Sequence, residues 1–154
     1  MQVKRVVFAM VLSGLGLALG ACESYSMRGH VIRGDVSYIQ IVSADDSRLS
    51  EPGISGARVG AHLDPGRLNR KFLGSTMTDG NGDFSLPIDE VGAGWLEYDI
   101  SVVSYRDGFM GAEQFFRIPK AERRVLIMLA PGDDAEPPSF ESRESLFDEA
   151  DRYR

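Results

Sequence analysis

Cysteine is almost absent from this chain of 154 residues: Cys22 stands alone, so no internal disulfide can staple the fold, which must rest on a buried core. Histidine is nearly as scarce. His30 and His62 are the full complement, and neither lies in the spacing of a zinc site or beside a nucleophile motif. Long hydrophobic runs are lacking as well, since the charge-free apolar stretch at 6–19, about 14 residues, is too short to span a membrane comfortably. Positive charge is in deficit, with 17 Lys and Arg against 23 Asp and Glu for a net −6. Arg67, Arg70 and Lys71 share a loop and Arg123-Arg124 opens a strand, positions typical of solvated turns and edge protection, so nucleic acid is not an expected partner.

What the chain does have begins at its first residues. Lys4 and Arg5 precede the apolar stretch, and Leu19-Gly20-Ala21-Cys22 closes it. That tetrapeptide resembles the lipobox of bacterial lipoproteins: a branched apolar residue, two small residues that suit a peptidase cleft, then cysteine. The resemblance implies that 1–21 is a signal peptide and that the Cys22 thiol carries diacylglycerol. It further implies a free amine that is acylated after cleavage, making membrane lipid a partner through Cys22, because several acyl chains anchor stably where one binds reversibly. Glu23, rather than Asp, follows the cysteine, which in such lipoproteins favours the outer membrane. Removing Lys4 and Arg5 leaves 15 basic residues against 23 acidic ones, a net of −8.

Residues 22–30 show no periodicity and read as a tether that lets a domain stand off the bilayer. Beyond it the chain alternates in short runs separated by turn residues. A strand is expected over 31–42, a long connection over 43–55 that reads as a surface insertion, and a strand over 57–63 with Val59, Ala61 and Leu63 inward. The densest turn chemistry is Asp79-Gly80-Asn81-Gly82. It predicts a tight hairpin joining strands that end at Thr78 and resume at Phe84, with Asn81-Gly82 as a type I′ turn. Leu96, Tyr98, Ile100 and Val102 share one face of the next strand, 114–118 and 124–129 follow, and Pro131-Gly132 stops the last. Six or seven short strands without a periodic helix between them predict an all-β fold, an antiparallel β-sandwich over 31–130. The tail, 131–154, carries eight acidic and three basic residues and reads as disordered or weakly helical.

The succession Val31-Ile-Arg-Gly-Asp-Val, Gly56-Ala-Arg-Val, Thr78-Asp-Gly-Asn-Gly-Asp-Phe-Ser-Leu, Tyr98-Asp-Ile-Ser-Val and Val125-Leu-Ile-Met-Leu resembles the carboxypeptidase regulatory-like domain. The likeness spans about 100 residues, its most specific part being the Thr-Asp-x-x-Gly-x-Phe stretch. It implies a transthyretin-like sandwich of about seven strands, and a non-enzymatic accessory, adhesion or binding role. No peptidase domain is attached, and the tetrapeptide that ends transthyretin-like hydrolases is missing.

Candidate chemistry is sparse. Asp79, Asn81 and Asp83 repeat at the spacing of the first calcium ligands of an EF-hand loop, with Glu90 at the twelfth position. Position six, however, is Phe84 and Pro87 interrupts the loop, so Asp79 reads as a turn-former and Asp83 as a solvent-facing strand residue. His62 reads as an exposed strand histidine. Trp95, Tyr98, Tyr105 and Phe109 could form an aromatic platform for carbohydrate, although Trp95 suits a core position better. Tyr105, on the polar side of its strand, is the candidate ligand contact. No catalytic residue, metal or cofactor is expected. The function these observations favour is a lipid-anchored, non-enzymatic envelope protein whose sandwich binds a protein partner or supports an assembly. A carbohydrate- or peptidoglycan-binding lipoprotein is the alternative, and a small hydrolase using His62 is the least supported.

Overall fold

The computed structural model describes residues 25–63, 70–89 and 98–133. The expected signal segment 1–21, Cys22, Trp95 and the tail beyond Asp133 lie outside them; the first tail residues are held, Gly132 N–H donating to Gly108 O at 3.1 Å. Eight strands form: β1 (Ser26–Arg33), β2 (Tyr38–Ser43), β3 (Arg58–Leu63), β4 (Lys71–Met77), β5 (Asp83–Pro87), β6 (Asp99–Tyr105), β7 (Ala112–Arg117) and β8 (Arg123–Leu129). They make two four-stranded sheets, ordered β2-β8-β1-β5 and β4-β3-β6-β7. The molecule is therefore the all-β sandwich that the alternation predicts. One pairing departs from the antiparallel expectation, since β1 runs parallel to β8.

Period-2 alternation explains the interior. In β5 the apolar Phe84 and Leu86 are buried while Asp83, Ser85 and Pro87 are exposed, so one face of the strand enters the core. Val31, Val59, Ala61, Ile100, Val102, Val125, Ile127 and Leu129 complete the layer between the sheets, each fully enclosed. Burying each of the larger aliphatic side chains stabilises the fold by about 1.5–3 kcal/mol.

Four expectations are corrected, three of them in the strands. The stretch 31–42 is two strands, because the chain leaves β1 at Gly34, whose N–H donates to Leu129 O at 3.0 Å, and reaches β2 on the far side of β8. Residues 26–30 are strand and not tether: Met27 and His30 are buried, and Ser26 to His30 pair with Pro87 to Asp83. The sequence stretch around Asp79 is not a hairpin. β4 pairs with β3 and β5 with β1, so residues 78–82 carry the chain from one sheet to the other.

The connection 44–57 is not a passive insertion. A 3₁₀ turn at Ser47–Ser50 lays Leu49 on the outer face of the first sheet, against Ile32, Val42 and Leu126, where it closes a second small core. Asp46 caps that turn, accepting from Arg48 N at 3.0 Å and pairing with the Arg48 guanidinium, which pulls its carboxyl down to about 2.

Candidate functional site

The corner at 78–83 is where the connection before β3 and the end of β1 meet the crossing between the sheets. Asp79 Oδ1 accepts from the N–H groups of Asn81 and Asp83, at 2.8 and 3.0 Å, while Asp79 N–H donates to Asp83 O at 2.9 Å. This is the self-bonding that an aspartate at the head of a turn provides. Thr78 fastens the corner to the neighbouring connection. Its hydroxyl accepts from Ala57 N at 2.8 Å and donates to Ile54 O at 2.6 Å, and its own N–H reaches Ala57 O at 2.9 Å. Two glycines make the approach possible. A Cβ on Gly82, whose φ is +91°, would lie 2.5 Å from Gly53 Cα, and one on Gly53 would lie 2.0 Å from Asn81 O. Val31 then threads between the two, donating to Gly82 O at 2.9 Å and accepting from Ile54 N at 2.7 Å.

His30 closes the arrangement from below. Its ring is buried, with Nδ1 2.8 Å from Asp83 Oδ1 and Nε2 2.9 Å from the backbone oxygen of Glu51. Both neighbours are acceptors, so a neutral ring donates to one of them and a doubly protonated ring to both. Sequence reasoning left His30 in a tether. Its role depends on a contact with Asp83, 53 residues away, that no spacing announces.

A cleft of about 500 Å³ opens over this corner, bordered by His30, Glu51, Gly53, Asn81 and Asp83. Its lining includes two acidic residues, Glu51 and Asp83. An Asp–His pair suggests general-base chemistry, and Ser50 borders the same cleft. The geometry does not assemble a triad, because the nitrogen that would take a serine proton faces the Glu51 carbonyl. The corner therefore reads as a structural lock with a polar mouth.

The calcium candidates converge here as turn chemistry. Asp79 serves the turn and Asp83 serves His30. Among the described residues no group of three or more His, Cys, Asp or Glu side chains could hold a metal ion.

His62 occupies a different place from the one expected. It is buried, on the outward face of the second sheet, directly opposite Ser101 and packed on the Phe72 ring with centroids 5.3 Å apart. Burial lowers its pKa below the ordinary histidine value, and the nearby Arg70 guanidinium adds to that, against a smaller opposing pull from Glu113. Arg70 and Glu113 are themselves joined at 3.1 Å. Neither His62 Nδ1 nor Ser101 Oγ has a hydrogen-bond partner.

Tyr105 ends β6 half-buried on this same outward face, opposite Arg58. It is not joined there by the other aromatics. Tyr98 and Phe109 pack against the core, and Tyr98 lies seven residues from Tyr105 on the opposite side of the strand, about 23 Å away at strand rise. The described residues thus do not build the aromatic platform.

Among the described residues, no helix is long and apolar enough to cross a membrane. Compared with models of known protein families and with curated proteins, the sequence matches none.

Proposed function

We propose that the chain is a lipid-anchored, non-enzymatic envelope protein whose sandwich serves protein interaction. The observation that carries this reading is the junction between anchor motif and fold. Only Glu23 and Ser24 separate Cys22 of the Leu19-Gly20-Ala21-Cys22 motif from Tyr25, which packs against the core. Tyr25 is tied down at once: its hydroxyl donates to Pro119 O at 2.5 Å and its carbonyl accepts from Ile88 N at 2.9 Å. Three residue steps span at most about 10 Å. A lipid on Cys22 would therefore hold the sandwich against the bilayer, where the expected tether would have let it stand off.

The likeness to carboxypeptidase regulatory-like domains supports an accessory role, and the outer membrane follows from Glu23. Within the fold, the His30–Asp83 pair faces a backbone carbonyl and no nucleophile, which supports a binding role over a hydrolytic one. Mass spectrometry of the membrane-extracted protein, with affinity capture, compares wild type with Cys22→Ser. A diacylglycerol and acyl adduct on Cys22, and a captured protein lost with the anchor, are the expected results. An unmodified cysteine on a freely soluble chain would overturn the reading.

A further inference from the structure

Each sheet of an open sandwich ends in strands that no further strand pairs on the outer side, and proteins blunt such edges. Three of the four here show a device. β4 carries a register shift opposite Ala61/His62 beside Gly74, whose φ of +144° bends the strand. β5 is five residues long and ends in Pro87. β2 starts beneath the turn that follows β6, where Ser37 Oγ donates to Met110 O at 2.7 Å. β7 shows none of them. It is six residues of regular strand, Ala112-Glu-Gln-Phe-Phe-Arg117, with Glu113, Gln114, Phe115 and Arg117 exposed and Phe115 54 % accessible. Among the described residues no strand pairs with its outer side.

The register of β7 on β6 fixes which groups that edge offers. Ile118 N–H donates to Tyr98 O at 2.8 Å, and Asp99 faces Arg117, so Phe116, Gln114 and Ala112 turn their backbone groups toward β6. Glu113, Phe115 and Arg117 turn theirs outward. An antiparallel partner centred on Phe115 would bring Phe115 opposite Phe115, Glu113 opposite Arg117 and Arg117 opposite Glu113. Two independent requirements then meet in one register. The outward-turned residues face one another, giving about six backbone hydrogen bonds. The charges on the same face are complementary, Glu113 keeping its link to Arg70 of its own copy, and an aromatic pair lies between them.

We infer that the β7 edge pairs with the β7 edge of a second copy of this chain, through a two-fold axis at Phe115. The interface is isologous, each copy presenting the acidic end of its strand to the basic end of the other. β2 lies across from β7 in the first sheet, so the two β2 edges come side by side in the second layer. A contact built on six-residue edges is small and belongs with transient interfaces. This inference deepens the interaction role proposed above by naming a partner. Confinement to a membrane would raise the effective concentration that such a contact needs. Because the two-fold reverses strand direction, copies anchored in one leaflet lie with their sheet faces along it.

Sedimentation equilibrium of the full chain in density-matched detergent, from about 10 to 500 µM, tests the pairing in the range expected of a small interface. Wild type is expected to shift from monomer toward dimer. Glu113→Arg and Arg117→Glu should each weaken the association about tenfold or more by placing like charges opposite one another, and the double swap, made with Arg70→Glu so that the link within each copy is kept, should restore it. Phe115→Pro, which removes an N–H that the monomer leaves outward, should leave a folded monomer by circular dichroism. A wild-type monomer throughout the range would overturn the inference. So would a double swap no tighter than the singles, or a Phe115→Pro chain that dimerises as wild type does. Lipidation is read separately by mass, so failure of the anchor and failure of the pairing are distinguishable.

Discussion

The 78–83 corner and the outward face of the second sheet are both polar, and they treat their polar groups in opposite ways. At the corner, the Thr78 hydroxyl, the Asp79 carboxylate and both nitrogens of His30 face partners within the same chain. On the sheet, His62 Nδ1 and Ser101 Oγ are buried without partners, and β7 leaves an edge turned outward. A polar cluster that closes on itself rigidifies a fold, whereas orphaned groups and an open edge leave the chemistry of contact unfinished. The corner is thus the lock, and the second sheet keeps two buried polar groups unpaired and one strand edge open.

Breaking the lock should have the largest effect. Gly82→Ala places a Cβ 2.5 Å from Gly53 Cα at a φ of +91°, so chemical denaturation should show a loss of about 3 kcal/mol or more. If the loss is below about 1 kcal/mol, the two segments are not in contact as described. Gln114→Pro should cost about as much, because the N–H it removes faces β6, whereas Phe115→Pro in the monomer should cost far less. A larger loss at Phe115 than at Gln114 would mean that the register is shifted by one.

Thr78→Val keeps the shape and removes the hydroxyl, leaving Ala57 N–H unsatisfied, and should lower stability by about 1–3 kcal/mol. On the sheet, NMR titration of His62 should give a pKa below the ordinary value. Arg70→Ala should move it upward without fully restoring it, since burial is the larger cause. Because the folded pKa is depressed, the unfolded chain binds the proton more readily, so this histidine's contribution is present above about pH 6.5 and is lost as the pH falls. The smallest effect concerns Tyr25, whose hydroxyl burial pushes up to about 12 from 10.0. Its contribution should be intact below about pH 10 and fade through about pH 12, and Tyr25→Phe should flatten that part of the stability profile.

The sandwich was legible because β5 alternates in a period that only a half-buried strand explains, and Pro131-Gly132 marks its end. The Asp79 turn was legible as local chemistry. Its partner was not, because Asn81-Gly82 records a reversal of direction but not which sheet the chain enters next; that depends on Gly53 and Val31, far away in sequence. The two histidines show the same limit. His30 and His62 each look exposed or idle in sequence, since their burial comes from Glu51, Asp83, Phe72 and other residues that meet them only across strands. Ser101 and Ser104 are polar yet wholly enclosed, so the alternation in β6 understates how deeply that strand is covered.

The most direct test of the contrast is amide hydrogen exchange on the intact protein at low and high concentration. Val31, Ile54, Ala57 and Thr78 should be protected at both, as should Gln114 and Phe116, whose N–H groups face β6. Glu113 and Phe115 should exchange fast when dilute and slow as concentration rises. Protection of those two at every dilution, or exchange that concentration does not change, would contradict an open edge completed by a second copy.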